Sequence, residues 1–164
     1  LQPNIIVIRS FSKAYGIAGL RIGYSIASPE IIASMKNHLR SYRVSSIAIA
    51  AAVAAIQDQE HLQRSITYIL REKAWLMREM GHLGFKVIPS QGQNFIAQVP
   101  KEFDNANHFC AAAKLHDMAV VNCSLYSGME QYIRISPQKH VINKKFILIL
   151  KHLIEGRTHE LTNK

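Results

Sequence analysis

Residues 5–8 form an unbroken apolar run, Ile-Ile-Val-Ile, the pattern of a strand buried on both faces. A polar loop follows. Residues 20–27 then alternate, with Leu20, Ile22, Tyr24 and Ile26 large and Gly23, Ser25 and Ala27 small. A period of two predicts a second strand and puts Arg21 on the face with little bulk, where a ligand could lie. Ser28-Pro29-Glu30 is a helix start, with a hydroxyl cap, proline in the first turn and an acid beside it. Ile31, Met35, Leu39 and Tyr42 continue it as a helical stripe. Residues 44–56 are alanine-rich and apolar. That run is shorter than the ~20 residues a bilayer requires, and its alanines allow close backbone approach, so burial or a subunit contact is expected.

A polar break at 57–60 precedes Leu62, Ile66, Ile69, Leu76, Met80 and Leu83, spaced by helical steps and interrupted by Lys73. This predicts a long amphipathic helix ending at Gly84, packed on a sheet rather than in a coiled coil. The break near residue 58 is the expected domain boundary. It separates a first part, 1–58, from a second, 59–156, with a frayed polar tail at 157–164.

The second part reads as α+β. Strands are expected at 85–88, 94–99, 119–121 and 132–136, with a turn at 89–92. Asp104 is placed to cap a helix whose inner face holds Ala106, Phe109, Cys110 and Ala113. Pro137 opens a last helix with Ile142, Phe146, Ile149 and Leu153 as its core stripe. In the 132–136 strand, Ile133 and Ile135 face one side, and Tyr132, Arg134 and Ser136 the other.

Composition narrows this little. The 164 residues are 48% hydrophobic and 19% charged, ordinary for one folded domain of this length. The sequence begins at Leu1 with a strand-type run almost at once and no basic-then-apolar leader, so a start inside a longer chain is expected. Two cysteines, Cys110 and Cys123, make no disulfide framework and fit a reducing cytoplasm. The eight histidines fall at no metal-ligand spacing, so surface or loop positions and no metal are expected. The net charge of +9 is scattered over positions such as Arg40, Arg43, Arg64, Arg78 and Lys151. Without a compact basic block, it reads as a surface suited to acidic metabolites rather than a nucleic-acid site.

Two places carry chemistry. The loop Ser10-Phe11-Ser12-Lys13 through Gly19-Leu20-Arg21-Ile22-Gly23-Tyr24 joins hydroxyls and a guanidinium, suited to phosphate oxygens, with a lysine amine able to attack a carbonyl. On its own Lys13 would read as a solvated lysine; the set in register does not. Arg134 is the second place. A lone arginine in a core-type strand calls for an anion, either a ligand carboxylate held by two parallel hydrogen bonds or an internal acid.

Ser-x-Ser-Lys followed by Gly-x-Arg-x-Gly-Tyr resembles the cofactor-lysine motif of class I/II aminotransferases, most closely the histidinol-phosphate aminotransferase branch, with threonine-phosphate decarboxylases as neighbours. The resemblance implies an α/β fold: the C-terminal part of a fold-type-I transferase, with the end of the large domain at 1–58 and the small α+β domain at 59–156. It implies pyridoxal 5'-phosphate as cofactor, bound through Lys13 and anchored by Ser10, Ser12 and Arg21, with Arg134 on the substrate α-carboxylate. It also implies amino-group transfer between an amino acid, histidinol phosphate being one candidate, and a 2-oxo acid in amino-acid biosynthesis, in a cytoplasmic homodimer. The 44–56 helix would then lie near the dimer interface. In place of the branch's phosphate-binding arginine after the third short strand, this chain has Asn122-Cys123-Ser124. The family's acid for the pyridine nitrogen and its stacking aromatic come from an upstream portion, so little turnover is expected from this stretch alone. The competing expectations are a decarboxylase with the same cofactor and a non-catalytic fragment with a basic binding surface.

Overall fold

The computed structural model describes residues 2–39 and 44–162, with side chains described through residue 156. Arg40, Tyr42 and Arg43 lie outside the described residues. Strand β1 (Val7–Ser10) runs antiparallel to β2 (Gly23–Ile26), with Val7 opposite Ile26 and Ser10 opposite Gly23. The strand thus starts two residues later than the apolar run suggests. Nor is that run buried on both faces: Ile5, Ile6 and Ile8 are exposed, Ile8 to 75%. Among the described residues β2 is its only strand partner, and a two-stranded ribbon leaves much of its surface open.

Helix α1 (Pro29–Asn37) starts as its sequence signals, with the Ser28 hydroxyl accepting from the Ile31 amide. Helix α2 (Ser46–Gln57) is capped by Ser45, whose hydroxyl accepts from the Ala48 amide at 3.1 Å. Its alanine side, Ala48 and Ala52, is buried; Ile47, Ile49, Val53 and Ile56 are exposed. Asp58 makes the break, and its carboxylate accepts from the His61 amide at 2.9 Å to start α3 (Gln59–His82). Gly84, at φ +84°, closes α3 in the left-handed conformation, and the Phe85 amide reaches back to the Met80 carbonyl.

The chain divides into two compact units, Leu1–Thr67 and Tyr68–Lys164, which meet within α3. The second holds β3 (Lys86–Ile88), β4 (Phe95–Gln98), α4 (Ala106–Lys114), β5 (Val121–Asn122), β6 (Tyr132–Ile135) and α5 (His140–Thr162). Its four strands form an antiparallel sheet in the order β3-β4-β6-β5. One face carries Phe95, Ala97, Ile133 and Ile135, all buried with Leu76 and Met80 of α3, Phe109 of α4 and Leu150 of α5. The register puts Ile88, Ile96, Arg134 and Val121 in one row across the opposite face.

Lys73, which breaks the apolar stripe of α3, is buried. Its ammonium donates to the carbonyls of Ser90 at 2.7 Å and Gly92 at 2.8 Å, holding the turn between β3 and β4. Three details depart from the sequence reading. Asn105, not Asp104, caps α4, accepting from the His108 amide at 3.0 Å; Asp104 instead pairs with the His108 ring. In α5 the buried positions are Asn143, Ile147, Leu150 and Leu153. Of the expected stripe Leu153 is buried, Phe146 and Ile149 are half-buried against the core, and Ile142 is exposed. The helix begins at His140, three residues after Pro137, and continues past residue 156 to Thr162.

Candidate active site

Phe11 organises the loop that joins β1 to β2. Only 3% exposed, its ring lies 4.8 Å from Tyr15 and 5.6 Å from Tyr24, centroid to centroid. Its amide donates to the Ile22 carbonyl, and its carbonyl accepts from Ile17. Around this anchor the Ser10 hydroxyl accepts from the Ser12 amide at 3.0 Å, and the Gly16 amide closes a turn on the Lys13 carbonyl at 2.9 Å. Gly16 has φ +75°, which suits a residue without Cβ. The ring of His61 stands beside it, 4.0 Å from where a Cβ would lie.

Lys13 projects from this loop with its side chain exposed.

Arg21 corrects the alternation argument. Residues 18–20 form a turn of 3₁₀ helix, and Arg21 caps it in the left-handed conformation at φ 50°, ψ 49°. It precedes β2 instead of standing in it. One guanidinium nitrogen donates to the Ala18 carbonyl at 3.0 Å, and no carboxylate pairs with it among the described residues. Ser10, Ser12, Lys13 and Arg21 thus sit on one hairpin and its connecting loop. Two hydroxyls, a guanidinium with free donors and an exposed amine form a donor set that fits a phosphate and an aldehyde on one small molecule.

Gly23 explains itself by close approach. A Cβ there would lie 2.6 Å from the Arg9 carbonyl oxygen. Replacing Gly23 by alanine is expected to force the hairpin apart at a cost of ~1–3 kcal/mol, read as a lowered denaturation midpoint. Gly19, with nothing within 4 Å of its Cβ position, is the matched control, and its alanine variant should stay near the parent.

Arg134 lies in the second unit, on β6. Ile133 and Ile135 point into the core, and Arg134 is exposed between Ile96 and Val121 in the register. Among the described residues no acid pairs with it, so the internal salt bridge that the sequence left open is not formed there. A cavity of about 650 Å³ adjoins this strand, lined by Arg134, Ser136, Gln138, Asn143, Phe146 and Ile149 among others. Asn122 is engaged locally: its amide donates to Asn107 at 2.6 Å, and its oxygen accepts from the Ser124 amide at 2.8 Å.

The sequence reading missed the group formed by the buried Glu72 and Asn143 with the partly exposed His140. Its one visible trace was a pair of charged residues, Glu72 and Lys73, inside an apolar stripe. Both cysteines are free thiols, and burial together with the neighbouring Cys123 thiol raises that of Cys110. Among the described residues no three His, Cys, Asp or Glu side chains are grouped to hold a metal, and no helix is long and apolar enough to cross a membrane.

The family profile described as aminotransferase class I and II matches residues 2–144. Histidinol-phosphate aminotransferase 2 of Ralstonia nicotianae is 39% identical over 134 residues, 82% of this chain and 36% of that protein. Among solved structures, histidinol-phosphate aminotransferase of Sinorhizobium meliloti in complex with pyridoxal-5'-phosphate superposes with a TM-score of 0.84 at 26% identity, over 94% of this chain and 42% of that one. L-threonine-O-3-phosphate decarboxylase of Porphyromonas gingivalis gives a TM-score of 0.80 at 28% identity, over 93% and 47%. The chain spans less than half the length of each. Its α/β fold is that of part of a fold-type-I transferase, and the chain belongs to the class I and II aminotransferase family.

Proposed function

We propose that this chain is the C-terminal part of a pyridoxal-phosphate-dependent aminotransferase that moves an amino group between an amino acid and a 2-oxo acid. The observation that carries the reading is the exposed Lys13 amine on a hairpin whose Ser10, Ser12 and Arg21 groups suit a phosphate, within a stretch matched by the family profile. Bound there, the cofactor supplies an aldehyde and a ring that takes up electron density from the substrate α-carbon. Ser10, Ser12 and Arg21 would hold its phosphate. The Lys13 nitrogen would be its point of attachment and would carry the α-proton as general base and general acid. Arg134 orients the substrate carboxylate. Residues 1–58 are then the end of the cofactor-binding domain and 59–156 the small domain of a cytoplasmic homodimer.

The donor is an amino acid, with histidinol phosphate one candidate. Asn122 offers no positive charge to a substrate phosphate, and its amide is already taken by Asn107. Likeness to the Porphyromonas decarboxylase supports a second reading, loss of carbon dioxide from a similar substrate. Product analysis separates them: carbon dioxide without 2-oxo acid would rule out transamination.

The direct test is borohydride reduction of the complete protein with pyridoxal phosphate, followed by peptide mapping. The label is expected on the peptide holding Lys13, and a label elsewhere would overturn the reading. Arg134→Gln should raise KM for the amino acid on the order of 10²-fold, since two charge-assisted hydrogen bonds of ~1.5–3 kcal/mol each are weakened. An unchanged KM would remove Arg134 from the site.

A further inference from the structure

The most deeply buried carboxylate among the described residues belongs to Glu72 of α3, 2% exposed. One oxygen accepts from His140 Nδ1 at 2.9 Å and from Asn143 Nδ2 at 3.0 Å; the other meets an Arg71 guanidinium nitrogen at 3.4 Å. Asn143, equally buried, grips the preceding loop twice. Its amide nitrogen donates to the Gln138 carbonyl at 2.9 Å, and its oxygen accepts from the Gln138 amide at 3.0 Å. The His140 amide donates to the Tyr68 hydroxyl at 2.9 Å, and its ring stands edge-on to Trp75 at 5.0 Å. The segment that leaves β6 after Ile135 is therefore tied to α3 through one carboxylate and one phenol. Ser136, Gln138 and Asn143 of this segment also line the 650 Å³ cavity, with Leu76 of α3 opposite.

We propose that Glu72 is a proton-operated latch: as a carboxylate it holds segment 136–143, a wall of the cavity, against α3, and on protonation it releases that segment. A carboxylate can accept from both His140 and Asn143. A carboxylic acid has lost acceptor capacity and carries an O–H donor that the Asn143 Nδ2 group cannot receive and that His140 Nδ1 receives only by giving up its own proton, so the two present contacts cannot both persist unchanged. The charged or titratable groups facing it are Arg71 on its own helix and His140 on α5. Tyr68 meets only the His140 amide, and Lys73 is taken up by Ser90 and Gly92.

Burial alone would raise the Glu72 carboxyl. The hydrogen bonds from His140 and Asn143, with the charges of His140 and Arg71, outweigh that and hold it below the ordinary carboxylate range. A lowered value in the folded state means the latch is fully closed above the unfolded carboxylate range and opens as pH falls through the folded value. Any effect on substrate binding rests on the carboxylate role of Arg134 proposed above; the latch itself does not.

The test is amide hydrogen exchange of the 164-residue chain, followed by NMR from neutral pH to below the ordinary carboxylate range, with rates expressed as protection relative to the free peptide. Acidification should lower protection of the Gln138 and His140 amides at least about tenfold while the Ile133 and Leu150 amides stay protected. Loss at all four together, or at none, would overturn the proposal. Glu72→Gln should show low protection at Gln138 throughout and no acid step; an acid step like the parent's would also overturn it. Should that variant fail to fold, His140→Ala serves, because its side chain is partly exposed. Full protection of Gln138 at neutral pH in that variant would count against the latch.

Discussion

Replacing Lys13 by alanine is expected to abolish borohydride-stable attachment of pyridoxal phosphate and to lower turnover of the complete protein by about 10³–10⁴-fold. The size of the effect follows from two losses at one atom. In the proposed reading the amine is the point of covalent attachment and also the group that moves the proton at the α-carbon. Lys13→Arg separates charge from nucleophilicity: it keeps a cation on the loop but cannot condense with an aldehyde at neutral pH. Both variants should therefore fail alike in labelling. Turnover within tenfold of the parent in either one would mean that another amine performs the chemistry. Because Lys13 is exposed and the loop is anchored by Phe11, neither variant should alter stability by more than about 0.5 kcal/mol.

The largest expected effect on stability lies in the second unit. Phe109 is completely buried and meets Phe85 and Phe103 edge-to-face, with ring centroids at 5.6 and 5.1 Å. Truncation to alanine removes most of a large apolar side chain and leaves a void between α4 and the sheet, at a cost of ~3–5 kcal/mol. Domains of this size are stable by only about 5–15 kcal/mol, so the urea midpoint should fall by a large fraction. Leu148, 65% exposed on α5, is the control, and its alanine variant should change stability by no more than about 0.5 kcal/mol. Equal midpoints for the two variants would contradict the assignment of the core.

Much of the second unit was legible because its alternation is enforced by burial. Ile133 and Ile135 read as inward and Arg134 as outward, and the sheet keeps them so. Helix α3 was legible from its stripe, but its buried Glu72 and Lys73 needed the structure to explain them, since no pattern announces that two turn carbonyls will receive a buried ammonium.

In α5 the expected stripe holds at Phe146, Ile149 and Leu153, but Ile142 is exposed, and a buried asparagine, Asn143, takes the neighbouring inward position that apolar counting passes over. Neighbouring Asp104 and Asn105 are both good caps, and one residue of phase decides between them.

At the candidate site, the identities of Ser10, Ser12, Lys13 and Arg21 were legible as a motif, but the conformation of Arg21 was not. A left-handed arginine after a 3₁₀ turn follows from how the loop closes around Phe11, not from period two. The apolar run at 5–8 signalled more burial than the β1–β2 ribbon supplies.

The two lysines singled out here give the molecule an internal reference for chemical footprinting. Brief acetylation with a water-soluble ester should modify the open amine at position 13, while the amine sequestered beneath the 90–92 turn stays untouched as long as α3 and that turn remain together. Mass spectrometry of a single sample would then report protection of Lys13, by the cofactor in the proposed reading, and integrity of the second unit at the other lysine.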